Sequence, residues 1–176
     1  MKFDLIILDC KHYFDHPVNS IKELMEVTSN IVEAHIFKIE IDVMKFLLLK
    51  RQSNESYPNL WQMVSGAIEG KEMAYEAAIR EIVEETGITI NKMWVVPNVN
   101  SFYSPDKNKL FMVPVFAALT DDENIKISNE HSEYKWVSKE EAVKLLAWPG
   151  QRKSVEIIYE YFTKEKNFLE FVEIKL

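Results

Sequence analysis

GAIEGKEMAYEAAIREIVEETGI, residues 66–88, decides how the rest of the chain is read. Its second half, REIVEETG from Arg80 to Gly87, crowds three glutamates into the end of a helical pattern. That pattern runs from about Glu72 to Thr86, and Gly87 suits the C′ position that stops a helix. At about 100° per residue, Glu81, Glu84 and Glu85 share a face with Ala74, Ala77 and Ala78. Tyr75, Ile79, Ile82 and Val83 form a separate apolar face, expected to meet the core.

The placement is unfavourable on its own. Glu81 repels Glu84 and Glu85 at i+3 and i+4, about 0.2–0.5 kcal/mol per pair. Glu84 and Glu85 also face the negative end of the helix macrodipole, about 0.3–1 kcal/mol each. A plain solvated face is the bland alternative, since glutamate is a good helix former. A bound divalent cation would reverse both penalties, and an all-oxygen donor set selects Mg²⁺, Mn²⁺ or Ca²⁺ over softer metals.

The spacing in residues 66–88 is Gly, five residues, Glu, seven residues, Arg-Glu, an apolar residue, any residue, Glu-Glu, any residue, Gly, apolar. It resembles the Nudix box with every fixed position filled, a coincidence on the order of one in ten million at average residue frequencies. The resemblance implies a Nudix-type α/β/α sandwich with a mixed β-sheet, and hydrolysis of a nucleoside diphosphate linked to another moiety. It implies that Glu81, Glu84 and Glu85 hold Mg²⁺, with Mn²⁺ a possible substitute. It also implies that Arg80 and Glu72 form a salt bridge fixing the loop to the helix, and that Gly66 lets the backbone approach a metal or phosphate. Glu81 is one candidate for the group that orients or deprotonates the attacking water.

Two flanking stretches, WQMVSGAIE (Trp61 to Glu69) and EHSEYKW (Glu130 to Trp136), resemble bacterial dihydroneopterin triphosphate pyrophosphohydrolases, which also cleave nucleoside triphosphates such as dATP. On that resemblance Glu130 is a further metal-binding and catalytic glutamate. RNA pyrophosphohydrolases and related dinucleoside polyphosphate hydrolases usually follow WQ with Pro-Gln-Gly-Gly, and here MVSGA follows. The expected reaction is cleavage of a (deoxy)nucleoside or dihydroneopterin triphosphate to a monophosphate and pyrophosphate. A dinucleoside polyphosphate or capped-RNA hydrolase is the alternative, and a silent nucleotide-binding regulatory module is a third. Trp61, Phe102 and Tyr103 are candidates to stack on a base or pterin. Lys50, Arg51 and Arg152 receive no role.

Around the box, a chain of 176 residues with 47% hydrophobic residues suits one domain. Residues 34–176 are expected to form the hydrolase domain and residues 1–33 an N-terminal extension packed on it or lengthening it. The extension is read as a strand (FDLIIL), a loop at Pro17 and a helix from near Ser20. AHIFKIEIDVMKFLLLKR reads as one strand or a hairpin. SNESYPN reads as a loop, and strands follow the box. SKEEAVKLLAW reads as a helix with Ser138 and Glu141 in a capping box. A last helix spans about Gln151 to Lys164.

The net charge of −7 argues against binding duplex nucleic acid. No stretch approaches the roughly 20 apolar residues of a membrane span. With one cysteine, Cys10, no internal disulfide forms, and a reducing cytoplasmic setting is expected. The expected partner is a small-molecule triphosphate, with homodimerisation left open. CKHYFDH gathers Cys10, His12, Asp15 and His16 but matches no common zinc spacing. DDEN at Asp121 to Asn124 lacks the ligand spacing of a calcium loop and reads as a turn.

Overall fold

The computed structural model describes residues 25–176. The expected strand, loop and helix start before Met25, and the CKHYFDH cluster, lie outside the described residues. Where the description begins the chain is already a strand, β1 (Glu26–Thr28). A hairpin follows, β2 (Ile31–Glu40) and β3 (Val43–Arg51), so the long apolar stretch resolves into two strands. Ile41 and Asp42 turn it with φ of 45° and 63°, the positive values that a two-residue hairpin turn matching the strand twist requires. The boundary expected at residue 34 therefore falls inside β2.

β4 (Trp61–Gln62) and β5 (Val64–Ala67) lead into α1 (Ala74–Thr86). The long β6 (Lys92–Ser104) and β7 (Lys109–Leu119) form a second hairpin, and β8 (His131–Val137) comes next. α2 (Lys139–Leu145) is N-capped by Ser138, whose side chain accepts the Glu141 N–H at 3.2 Å. α3 (Pro149–Thr163), α4 (Leu169–Val172) and a short β9 (Glu173–Ile174) complete the chain.

The nine strands of the described residues form one mixed sheet. β2 and β7 run parallel at its centre, with Glu33 opposite Val115 and Phe37 opposite Leu119. β2 and β3 pair only from Phe37 to Phe46, then part. Beyond that point β5 takes the edge of β2 and β4 that of β3, while β8 lies on the far side of β3.

Alternation along β2 sends side chains to two separate cores. Val32, Ala34 and Ile36 pack with Ala77, Ala78 and Ile82 of α1 on one face. Phe37 packs with Phe46, Trp94, Val155, Ile158 and Phe162 on the other, beneath α2 and α3. Helices on both faces of a mixed sheet make the α/β/α sandwich. Ile82 is fully buried, and cutting such a side chain to alanine costs about 2–5 kcal/mol.

The helix face differs from the expected one. Ala77 and Ala78 are core residues rather than a floor for the glutamates, and Val83 is half exposed. The two alanines let α1 approach the β2–β5 pair closely, which rotates Ile82 and Glu85 inward and Val83 out. The helix also starts at Ala74 rather than Glu72, because Glu72 spends its carboxylate on the Glu69 N–H at 2.7 Å and on Arg80.

Candidate active site

α1 carries its glutamates against the end of β5. It closes on Gly87, at φ 67°, whose N–H bonds the Val83 carbonyl at 2.8 Å. At its other end the Glu76 carboxylate accepts the Met73 N–H at 2.8 Å. Gly66 faces α1, and a Cβ there would overlap the Glu81 carboxyl group. Glycine at 66 is what gives Glu81 its place.

Arg80 organises this end of the helix. Its Nε and Nη2 donate to the two oxygens of Glu72 at 3.3 and 2.9 Å, and Nη2 also reaches the Ala67 carbonyl at 2.8 Å. Nη1 donates to Glu81 at 2.8 Å and to Glu84 at 3.1 Å. The guanidinium thus ties the loop after β5 to the helix and gathers two of the three glutamates. Those bonds hold Glu72 below the usual carboxylate range and Arg80 firmly protonated.

Glu85 is the third, only 5% exposed. Its Oε2 has no hydrogen-bond partner and lies 3.7 Å from His131 Nε2. Burial, with the charges of Glu81 and Glu130 added, pushes its carboxyl up to about 8; the Ser65 backbone and Arg51 oppose this. Burial also raises Glu81, against the pull of Arg80 and with the push of Glu84 and Glu130. Glu130 sits in the turn before β8, its carbonyl accepting the Gln52 N–H at 2.8 Å, and its charge reaches both glutamates. The structure therefore brings Glu72, Arg80, Glu81, Glu84, Glu85, Gly66 and Glu130 to one place.

His131 and Gln62 are the neighbours that sequence reading missed. Gln62 Nε2 bonds His131 Nε2 at 3.3 Å, and Ser128 Oγ lies 3.4 Å from Nδ1. With Gln62 donating, the ring proton sits on Nδ1. Burial, helped by the Arg51 charge, lowers His131 to about 4, so the ring is neutral near pH 7. Each stands beside a residue already singled out, Glu130 and Trp61, and that adjacency was the available signal.

The aromatic candidates lie elsewhere. Trp61 packs against the α3-side core with Lys50 and Lys135 over its ring at 5.8 and 5.5 Å. Phe102 and Tyr103 are on β6 near the tip of its hairpin with β7. Phe102 stacks on Phe111 at 4.9 Å, and the Tyr103 hydroxyl donates to Asn108 at 3.0 Å.

The residues fit a hard divalent cation. The donors are all carboxylate oxygens, a buried oxygen of Glu85 lacks any partner, and Gly66 keeps the approach to Glu81 clear. Among the described residues no three His, Cys, Asp or Glu side chains converge as a finished ligand set. Arg80 Nη1 is what holds Glu81 and Glu84 in this arrangement.

A sandwich with a glycine-cleared acidic helix end defines a class, and the chain belongs to the Nudix family: residues 32–157 match the NUDIX domain. It is similar to an asymmetrical bis(5'-nucleosyl)-tetraphosphatase of Caenorhabditis elegans, 30% identical over 104 residues, covering 57% of this chain and 72% of the relative. It is also similar to a dihydroneopterin triphosphate diphosphatase of Haemophilus influenzae, 29% identical over 121 residues, covering 59% and 72%. Among solved structures, a Nudix hydrolase from Listeria monocytogenes superposes with a TM-score of 0.68 at 26% identity, covering 78% of this chain and 97% of that one. Family and relatives make this chain a Nudix pyrophosphohydrolase, and Nudix hydrolases generally use divalent metal ions. Among the described residues no helix is long and apolar enough to cross a membrane.

Proposed function

We propose that this chain hydrolyses a (deoxy)nucleoside triphosphate or dihydroneopterin triphosphate to a monophosphate and pyrophosphate, with Mg²⁺ as cofactor. The observation that carries the reading is the partnerless, buried Oε2 of Glu85 beside Glu81 and Glu130. A buried carboxylate oxygen beside two more carboxylates is costly unless a cation or water meets it, and the negative charge around it favours the cation.

Glu81, Glu84, Glu85 and Glu130 would hold the cation. When bound, a divalent cation neutralises phosphate charge, polarises phosphorus and acidifies water. Arg80, clamped on Glu72 and the Ala67 carbonyl, keeps Gly66 and Glu81 in register, so the catalytic end of α1 moves as one piece with its loop. Glu81, opposite the bare backbone of Gly66, would orient or deprotonate the attacking water. Neutral His131 turns an unprotonated Nε2 toward Glu85, so it neither donates to that carboxylate nor neutralises it, and the oxygen is left for a cation. Cys10 and the acidic surface suit a cytoplasmic protein.

The choice of a triphosphate rests on the WQMVSGAIE and EHSEYKW stretches and on the likeness to the Haemophilus diphosphatase. A second reading, a dinucleoside polyphosphate or capped-RNA substrate, is favoured by the likeness to the C. elegans tetraphosphatase. A panel of NTPs, dNTPs, dihydroneopterin triphosphate, diadenosine tetraphosphate and 5'-triphosphorylated RNA with Mg²⁺, with products separated by anion exchange, tests both. Pyrophosphate and a monophosphate from a free triphosphate are expected. Turnover confined to diadenosine tetraphosphate or RNA would overturn the first reading.

A further inference from the structure

On the α3 side of the sheet the core changes character at one level. Along β2, Phe37 is apolar core, but the next two positions on that face are His35 and Glu33, both buried. Along α3, Phe162, Ile158 and Val155 give way one turn earlier to Ser154 and Gln151, also buried. On β6 the change runs from Trp94 and Val96 to Asn98 and Asn100.

Glu33 is the hub of this polar end. Its Oε1 accepts from His35 Nε2 at 2.6 Å and from Asn100 Nδ2 at 2.9 Å. Its Oε2 accepts only from Gln151 Nε2, at 3.0 Å. The amide of Gln151 must stand this way round, since the reverse would set its carbonyl oxygen against the carboxylate. Gln151, 6% exposed, is then left with a buried Oε1 that has no partner. A carboxylate offers about four lone-pair sites. Glu33 Oε2 and Gln151 Oε1 are thus neighbouring acceptors with capacity to spare, and a network serving stability alone would close on itself.

Two half-exposed aromatic rings sit a short step along the chain from these residues. Phe102 lies two residues beyond Asn100 and so on the same face of β6, 47% exposed. Trp148, 43% exposed, is the N-cap of α3, three residues before Gln151, and meets Tyr57 edge-on at 5.2 Å. The network borders the acidic site from the opposite face of the sheet: Glu33 pairs across the ladder with Ser65, the residue before Gly66, whose open side faces Glu81 of α1.

We propose that Glu33 and Gln151 read the heterocycle of the substrate. They select one presenting a ring N–H beside an exocyclic amino group, as guanine and pterins do. Two adjacent acceptors complement two adjacent donors, whereas adenine offers a donor beside an acceptor and would leave one buried group unmet. The hydrolase reading is needed only for the claim that the bound heterocycle belongs to a substrate.

The test is equilibrium binding of GMP, IMP and AMP to the full chain in chelator, followed by tryptophan fluorescence or calorimetry. GMP and IMP differ only in the 2-amino group. GMP is expected to bind about tenfold tighter than IMP, with AMP weaker still. Glu33→Gln and Gln151→Met are expected to bring the GMP to IMP ratio close to one while keeping a cooperative thermal transition. Should Glu33→Gln not fold, Gln151→Met and the unaltered chain decide. Equal affinity for GMP and IMP, no binding of any of the three, or a ratio untouched by Gln151→Met would overturn the proposal. Turnover without discrimination sinks this inference alone, and discrimination without turnover sinks the hydrolase reading alone.

Discussion

Glu81 occupies the space that a side chain at Gly66 would need: a Cβ there would overlap its carboxyl group. The conflict falls on the end of a flexible side chain, so Gly66→Ala should fold, with Glu81 driven off its position at about 0.5–1.5 kcal/mol. Turnover is expected to fall about a hundredfold, since misplacing a reacting group by an ångström costs that much. Parallel thermal melts and hydrolysis rates check it. Equal losses in both would mean that Gly66 serves only the fold.

Arg80 should not tolerate lysine. A lysine keeps the charge but cannot span Glu72, Glu81, Glu84 and the Ala67 carbonyl from one planar fork. Arg80→Lys is expected to lower stability by about 1–2 kcal/mol and to reduce kcat, because the loop and Glu81 lose their common tether. Denaturant unfolding with single-turnover rates measures both. An unchanged kcat would detach the tether from catalysis.

Glu130 lies in a turn, whereas Glu84 is fixed on the helix. Glu130→Gln should therefore reduce rate and cation affinity without abolishing either. A cation titration followed by activity checks this, and a variant indistinguishable from the unaltered chain would leave Glu130 an ordinary loop charge.

Stability without metal should fall as pH rises from about 6.5 to 8. Glu85 titrates near 8 in the folded chain and near its ordinary value when unfolded, so between the two the folded state holds the extra proton and loses stability as pH rises. His131, lowered to about 4, acts oppositely below about 6.5, where the unfolded chain binds the extra proton. The His131 and Glu85 contributions oppose one another below about 6.5; above it His131 drops out and the Glu85 effect, about 1–2 kcal/mol by pH 8, remains, with the raised Glu81 carboxyl acting in the same direction. A cation that binds ionised Glu85 should raise Tm more at pH 8 than at pH 6. Calorimetric scans in chelator and in excess Mg²⁺ measure it, and a metal-free Tm that climbs over this range would contradict the assignment.

Much of the acidic site was legible because its logic is local. Glutamate spacing on one helix, the Gly87 stop and the fixed offsets to Gly66 and Glu72 are all properties of one stretch. His131 and Gln62 were not legible, because their burial depends on β8 and β4 pairing with β3 from distant parts of the chain. Glu33 and His35 were hidden for a different reason. VEAHI alternates, and alternation suggests that its polar face meets water. Here α3 covers that face and brings Gln151 to it. The inward rotation of Glu85 was likewise invisible, since the helical wheel shows which residues share a face but not how far the sheet turns that face inward.

The most direct test of the central claim is triphosphate hydrolysis with Mg²⁺ by the unaltered chain and by Glu84→Gln, with thermal melts of both. Glutamine matches glutamate in volume and helix preference, so the melts should coincide. Monophosphate and pyrophosphate are expected from the unaltered chain and essentially none from the variant. Undiminished turnover by Glu84→Gln would contradict the claim.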